Sequence, residues 1–212
     1  MKDSAREGRL LNDSTQAASI MTIVASTIIK TEFGDFRVCY HETKKGFCVS
    51  FSQGDLSKDN PIVRLHSACL FGEVFHSLHC DCYCQLTETM ALIHEHKQGV
   101  IIYSYQEGMG IGLKKKIESM EIQRKEKCDI VEAFGKLGLK SDYRTFDVEM
   151  EALKDLGVSR RIETLSGSSV KIDAFKKAGY TISKLLKIDD RKLSNIAKEE
   201  LKTKKEKMGY SY

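Results

Sequence analysis

Nowhere is the 212-residue chain apolar for long enough to cross a bilayer. Its longest apolar stretches, such as Gly99 to Tyr105, fall far short of the roughly 20 residues that a spanning helix needs, so no membrane partner is expected. No basic-then-apolar segment opens the chain, which removes the mark of an export signal and leaves a cytoplasmic protein as the expectation. No unit of about 20 to 50 residues repeats, and that excludes a solenoid. Charge of one sign is scarce as well. The net charge is +4, with the surplus near Lys114 to Lys127 and in the tail from Lys198 to Lys207. Such a field suits an anionic small molecule, whereas a nucleic-acid partner calls for a basic stripe with interleaved aromatic platforms, and none is present.

Proline occurs once, at Pro61, where it closes a polar segment ahead of a strand. Residues 1–27 read as a flexible N-terminal arm and residues 28–212 as one domain, the size of unit that buries a single core. Thr31 to Tyr40 and Gly46 to Phe51 carry the aromatic and β-branched residues of a hairpin-like pair of strands. Strand and helix signals then alternate. Strands are expected at Ile62 to His66, Val100 to Tyr105 and Arg161 to Leu165. Helices are expected at Gln85 to Lys97, Leu113 to Lys125, Ile130 to Leu137, Val148 to Leu156, from a cap at Ser168 or Ser169 to Ala178, and at Asp189 to Met208. Alternation of this kind indicates an α/β fold with helices on both faces of a sheet.

Seven cysteines, an odd number in a chain without an export signal, point to thiols or metal ligands rather than to a disulfide framework. Cys69, Cys80 and Cys82 offer three soft thiolates, a Cys-x-Cys pair with a third cysteine from the preceding loop. Three protein ligands leave a zinc ion open to water, as catalysis requires, while four close it as a structural site. Spacing alone leaves both readings standing. Cys84 follows in the same alternating run and would close the site, and His66, His76 and His79 are further candidates.

The segment Arg64-Leu65-His66-Ser67-Ala68-Cys69-Leu70-Phe71-Gly72, followed by Ser77-Leu78-His79-Cys80-Asp81-Cys82 and Gln85-Leu86, resembles the zinc-binding signature of GTP cyclohydrolase II. The similarity continues through Gln106 to Leu113, Asp129 to Ala133, Asp142-Tyr143-Arg144 and Leu156-Gly157-Val158 to Lys207-Met208-Gly209, about residues 28 to 210 in all. The resemblance implies a mixed sheet with helices on both faces and a Zn2+ ion on Cys69, Cys80 and Cys82. It further implies hydrolytic opening of the imidazole ring of GTP with release of formate and diphosphate, Mg2+ on the nucleotide phosphates, and a homodimer working in riboflavin synthesis. On the same ground Asp142 is the proton acceptor and Arg144 the nucleophile at the α-phosphorus, with electrostatic stabilisation of the phosphoryl group as its alternative role. Substrate contacts are implied for Arg64, Leu65, His66, Ser67, Ala68, Gln85, Glu107, Gly108, Met109, Ile130, Ser166 and Lys171. Considered without the family, Asp142-x-Arg144 reads as a surface charge pair and Lys171 as a solvated helix residue. The Gly108-Met109-Gly110-Ile111-Gly112 run then reads as a tight strand-to-helix turn.

Three positions depart from the family pattern. Met109 stands where an arginine is usual, which removes a multidentate cationic contact. Ser166-Gly167-Ser168-Ser169 replaces a Thr-Asn-Asn-Pro loop. Met120 replaces a tyrosine whose hydroxyl can pass a proton, and methionine has no such group. Its spacing from Leu113 and Ile117 also suits plain helix packing. If that hydroxyl serves the second hydrolysis, ring opening stops at a formylamino pyrimidine. A catalytically silent nucleotide-binding or zinc-structural protein is the alternative of another class.

Overall fold

β-branched and aromatic residues at alternate positions build the first three strands, β1 (Thr22–Thr31), β2 (Gly34–Thr43) and β3 (Gly46–Gln53), joined by tight turns into an antiparallel meander. In this computed structural model, which describes residues 22–211, the arm expected over 1–27 lies outside the described residues up to 21. Its last part belongs to β1, because Ile23 to Ile29 pairs along β2. Thr31 to Tyr40 is not one strand either. The chain reverses at Glu32-Phe33, where the Thr31 hydroxyl donates to the Gly34 carbonyl at 2.8 Å.

The alternating half then supplies β4 (Ile62–Ser67), α1 (Leu70–Glu73), α2 (Cys82–His96), β5 (Gly99–Ser104), α3 (Gly112–Glu126), α4 (Ile130–Lys136), α5 (Asp147–Asp155), β6 (Arg161–Thr164), α6 (Ser169–Lys177), β7 (Thr181–Leu185) and α7 (Asn195–Met208). The seven strands form one mixed sheet in the order β1-β2-β3-β5-β4-β6-β7. β3 meets β5 antiparallel, while β5, β4, β6 and β7 run parallel. The expected α/β architecture with helices on both faces is thus the one the chain adopts. β7 was not foreseen: its five residues are mostly exposed and carry little apolar alternation. The last helix starts at Asn195 rather than Asp189, since the Ser194 hydroxyl accepts the Ala197 N–H and caps it there.

Period-two alternation splits the core. Val63, Leu65, Val100, Ile102 and Ile162 pack with Leu153 of α5 and Phe175 of α6 on one face, whereas Ile62, Ile101, Phe36 and Ile93 of α2 fill the other. Arg64 and His66 share the second face with α2 and are nearly as buried, at 2% exposure each. Three parallel strands, β5, β4 and β6, therefore deliver their carboxyl ends side by side, where α/β sheets place their ligand crevices. No helix of the described residues is long and apolar enough to cross a membrane. Because Leu153 is wholly enclosed, Leu153→Ala should cost about 2–5 kcal/mol in denaturant unfolding, and a loss under 1 kcal/mol would mean that this core layer is misplaced.

Candidate active site

A cavity of about 310 Å³ opens at those strand ends. The end of β4 and the loop after it bring Ser67, Ala68 and Cys69 to it, the turn after β5 brings Glu107, Gly108 and Met109, the loop after β6 brings Ser166, and α6 brings Lys171. Gln85 enters from α2, Met120 from α3 and Ile130 from α4. Leu65 is the exception among the expected contacts: its side chain belongs to the core on the opposite face, and only its carbonyl faces the site, where it accepts the Lys171 ammonium at 2.7 Å.

The three expected metal ligands converge. The Sγ atoms of Cys69, Cys80 and Cys82 lie within 4.8 Å of one another, with Cys69 and Cys80 at 3.6 Å. Gly72 makes room for them. A Cβ added there would meet the Cys80 sulfur at 2.7 Å and the Cys69 sulfur at 3.2 Å, so a glycine at this point of α1 is a condition of the cradle. Three soft sulfurs around one small space, with a side chain withheld beside them, fit a zinc ion. Cys84 stands outside the group, its thiol turned to the Lys192 carbonyl at 3.9 Å. His76 stacks on Tyr83, His79 lines the cavity, and His66 is committed elsewhere. Cys69 is held far below the ordinary thiol range, first by hydrogen bonds with Cys80 and Cys82 and then by the Lys116 ammonium 3.2 Å away. Sharing those bonds raises Cys80 and Cys82.

Two carboxylates brace this cradle. Glu73 accepts the Cys69 N–H at 2.8 Å, the Tyr103 hydroxyl at 2.7 Å and the His66 ring at 2.9 Å. Glu107 accepts the Leu70 N–H at 2.7 Å and Lys116 at 2.6 Å. Since Arg64 Nε donates to His66 Nδ1 at 3.0 Å, His66 carries its proton on Nε2 and donates it to Glu73. Burial lowers the His66 pKa to about 4.

Cations converge on the other side. Arg64 donates to the Leu165 carbonyl and to Gln85, whose amide nitrogen donates in turn to Asp81. Arg144, only 6% exposed at its side chain, grips Asp142 through Nε at 2.9 Å and through a terminal nitrogen at 2.5 Å. It also reaches the Tyr210 hydroxyl at 3.0 Å. Burial works against its charge, but Asp142 and Tyr210 more than offset this and hold the guanidinium above its ordinary value. Asp142-x-Arg144 is accordingly no surface pair. Lys171, expected from its own context to be solvated, is 6% exposed and pushed well below the usual lysine range by burial, with Arg144 and Arg64 adding to it. The glycine run is the tight turn that its composition suggests: Gly110 sits at φ +86°, and a Cβ there would lie 3.0 Å from the Tyr143 backbone. Met109 beside it holds φ +59°, a conformation that side chains disfavour.

Sequence reasoning missed Tyr210 and Glu73. Tyr210 follows a glycine at φ +66° that ends α7 and turns the tail back, with the Ser211 N–H on the Gly167 carbonyl at 2.8 Å. Only Met208-Gly209, a helix stop, hints at this in the sequence.

The sheet thus carries a crevice with three cysteines that could hold a metal ion on one wall and buried cations on the other. The GTP cyclohydrolase II family model matches residues 22–187, and the chain belongs to that family. GTP cyclohydrolase-2 of Haemophilus influenzae is 36% identical over 193 residues, covering 89% of this chain and 88% of that protein. Riboflavin biosynthesis protein RibBA of Endomicrobium trichonymphae is 33% identical over 206 residues, and that of Chlorobium phaeovibrioides 35% over 185. These matches cover 96% and 86% of this chain but only 50% and 44% of the two RibBA proteins, so the chain spans about half their length.

Metal analysis of purified variants tests the cradle. Cys69→Ser and Gly72→Val should lose the bound metal, while Cys84→Ser should keep it; loss on Cys84→Ser would mean a closed site. Acidification tests His66. Its folded pKa lies below the 6.5 of the free side chain, so the unfolded chain binds the extra proton and stability falls as pH drops from 6.5 towards 4. The loss should approach about 3 kcal/mol and shrink in His66→Gln; an unchanged slope in that variant would remove His66 as its source.

Proposed function

We propose that this chain is a hydrolase that opens the imidazole ring of GTP, with formate and diphosphate leaving as in GTP cyclohydrolase II. One observation carries the reading: the trithiol cradle and Arg144, to which Asp142 is paired from outside the lining, share one cavity in a member of that family. A zinc ion held by Cys69, Cys80 and Cys82 would supply Lewis-acid activation of a water towards the electron-poor C8 of guanine. The remaining work falls to side chains of the chain itself. Asp142 takes up a proton during ring opening, and to do so it must release one of its hydrogen bonds to Arg144. Arg144 acts as a fixed positive charge at the α-phosphorus, where a water forms the new P–O bond as the bond to the leaving diphosphate breaks. A guanidinium held above its ordinary pKa is a poor nucleophile and a good stabiliser of phosphoryl charge. Arg64, with the amide of Gln85 fixed between it and Asp81, orients the base. Mg2+ accompanies the phosphates. Exposed Val74, Phe75 and Leu78, close to the cradle in sequence, favour a homodimer. A cytoplasmic setting and a role in riboflavin synthesis complete the proposal.

A second reading is favoured by Met120. It lines the cavity from α3 and brings no hydroxyl to the place where the family usually has a tyrosine. With no phenol there, hydrolysis would stop after ring opening and keep the formyl group, giving a 2-amino-5-formylamino-6-ribosylamino-pyrimidinone phosphate. A silent nucleotide-binding or zinc-structural role is disfavoured by the intact Asp142–Arg144 pair.

Mass spectrometry of the products after incubation with GTP and Mg2+ separates these readings. Formate with a diaminopyrimidine marks the full reaction, and a formylamino pyrimidine marks the truncated one, in which case Met120→Tyr should restore some formate release. Asp142→Asn should lower kcat by about 10²–10⁴-fold in either case. No turnover of any guanine nucleotide would refute the enzymatic reading.

A further inference from the structure

We propose that Tyr210 is a positioning residue for Arg144: its hydroxyl, brought in from beyond α7, holds the guanidinium ready for the substrate's phosphates, an assignment that rests on reading the cavity as a nucleotide site. Tyr210 and Arg144 both line the cavity. Arg144 Nη2 donates one hydrogen to the Tyr210 hydroxyl oxygen at 3.0 Å and the other to Asp142. Asp142 stands two residues away in the same segment, so its grip orients the side chain against its own loop and moves wherever that loop moves. The rest of the protein reaches the guanidinium nitrogens through Ser67 Oγ, at a long 3.4 Å, and through Tyr210, the closer of the two. When Asp142 releases Nη2 to take up a proton, Tyr210 keeps that nitrogen in place.

Tyr210 is itself fastened on both sides. Gly209 closes α7 in the left-handed region, and the chain turns back so that the Tyr210 N–H donates to the Lys204 carbonyl at 3.3 Å and the Ser211 N–H to the Gly167 carbonyl at 2.8 Å. Just before the turn, the Lys207 ammonium bonds Asp129 and, at 2.9 Å, Glu132. Asp129 caps α4, whose Ile130 and Phe134 line the cavity. The segment carrying Tyr210 is therefore tied to the α4 wall and to the loop after β6. The backbone around Arg144 is tied to a third part of the site. The Tyr143 N–H donates to the Met109 carbonyl at 2.9 Å, and the Gln106 amide bonds both backbone groups of Thr145, at 2.7 Å and 3.1 Å. Backbone and head group of Arg144 are thus held by different elements, a two-point fixing that its pair with Asp142 does not give. The matched family model ends at residue 187, ahead of α7, and does not reach this contact.

A hydroxyl that acts through Arg144 matters only while Arg144 is present. Titration of the metal-loaded protein at low salt with inorganic triphosphate and with guanosine reads that coupling in wild type, Tyr210→Phe, Arg144→Met and the double variant. Tyr210→Phe should weaken triphosphate binding about three- to thirtyfold, leave guanosine binding unchanged and move the ligand-free Tm by no more than about 4 °C. In Arg144→Met, where Arg64 and Lys171 still attract the anion, adding Tyr210→Phe should weaken binding by less than about twofold. Unchanged triphosphate affinity in Tyr210→Phe, an equal loss for guanosine, an undiminished loss in the Arg144→Met background, or a wild type that binds no triphosphate would overturn the assignment. If the coupling is present while no guanine nucleotide is turned over, the Tyr210 assignment stands and the hydrolase reading alone fails.

Discussion

A guanidinium at 2% exposure inside a sheet must find acceptors for its donors or impose a heavy desolvation cost, and Arg64 finds them in three separate parts of the chain. It bonds His66 on its own strand, Gln85 on α2 and the carbonyl of Leu165 after β6. Through His66 the network reaches Glu73, and through Glu73 the N–H of Cys69. Through Gln85 it reaches Asp81, which lies between Cys80 and Cys82. One buried cation therefore sets the register of the three-cysteine cradle against the cationic wall. A satisfied network of this kind fixes a single arrangement of the site, because each member lost leaves another unpaired in a low-dielectric interior.

Positive charge is the second constraint. Arg64, Arg144 and Lys171 converge from β4, the segment before α5, and α6, and Asp142 is the carboxylate that directly pairs with one of them. Lys171 shows the consequence, since its ammonium is disfavoured by burial and by both arginines. A polyanion brought into the cavity would relieve that crowding. The carboxyl ends of β4, β5 and β6 thus hold the three-cysteine cradle and the cationic wall at fixed separation.

Much of this was legible in the sequence. Close spacing marked the cysteine run as a candidate cluster and the family resemblance singled out Cys69, Cys80 and Cys82 from it, while the alternation of short apolar runs with glycine-stopped helices announced the sheet with two covered faces. What stayed hidden depended on distance along the chain. Nothing local marks Lys171 as buried, because its burial comes from Leu65 and Phe146 far upstream. Tyr210 reaches Arg144 across 66 positions, and Cys84 looked like a fourth ligand only because helical rotation of α2 away from the cradle is invisible in a linear pattern. β7 escaped notice because strand signals weaken where a strand is exposed at a sheet edge.

The central claim is that three thiolates, and not four, face a wall built for phosphate. X-ray absorption at the zinc edge of the metal-loaded chain tests it directly. The account predicts three sulfur scatterers with an oxygen or nitrogen completing the shell, and a change in that light-atom contribution when GTP is added. Four sulfur scatterers, unmoved by nucleotide, would contradict it.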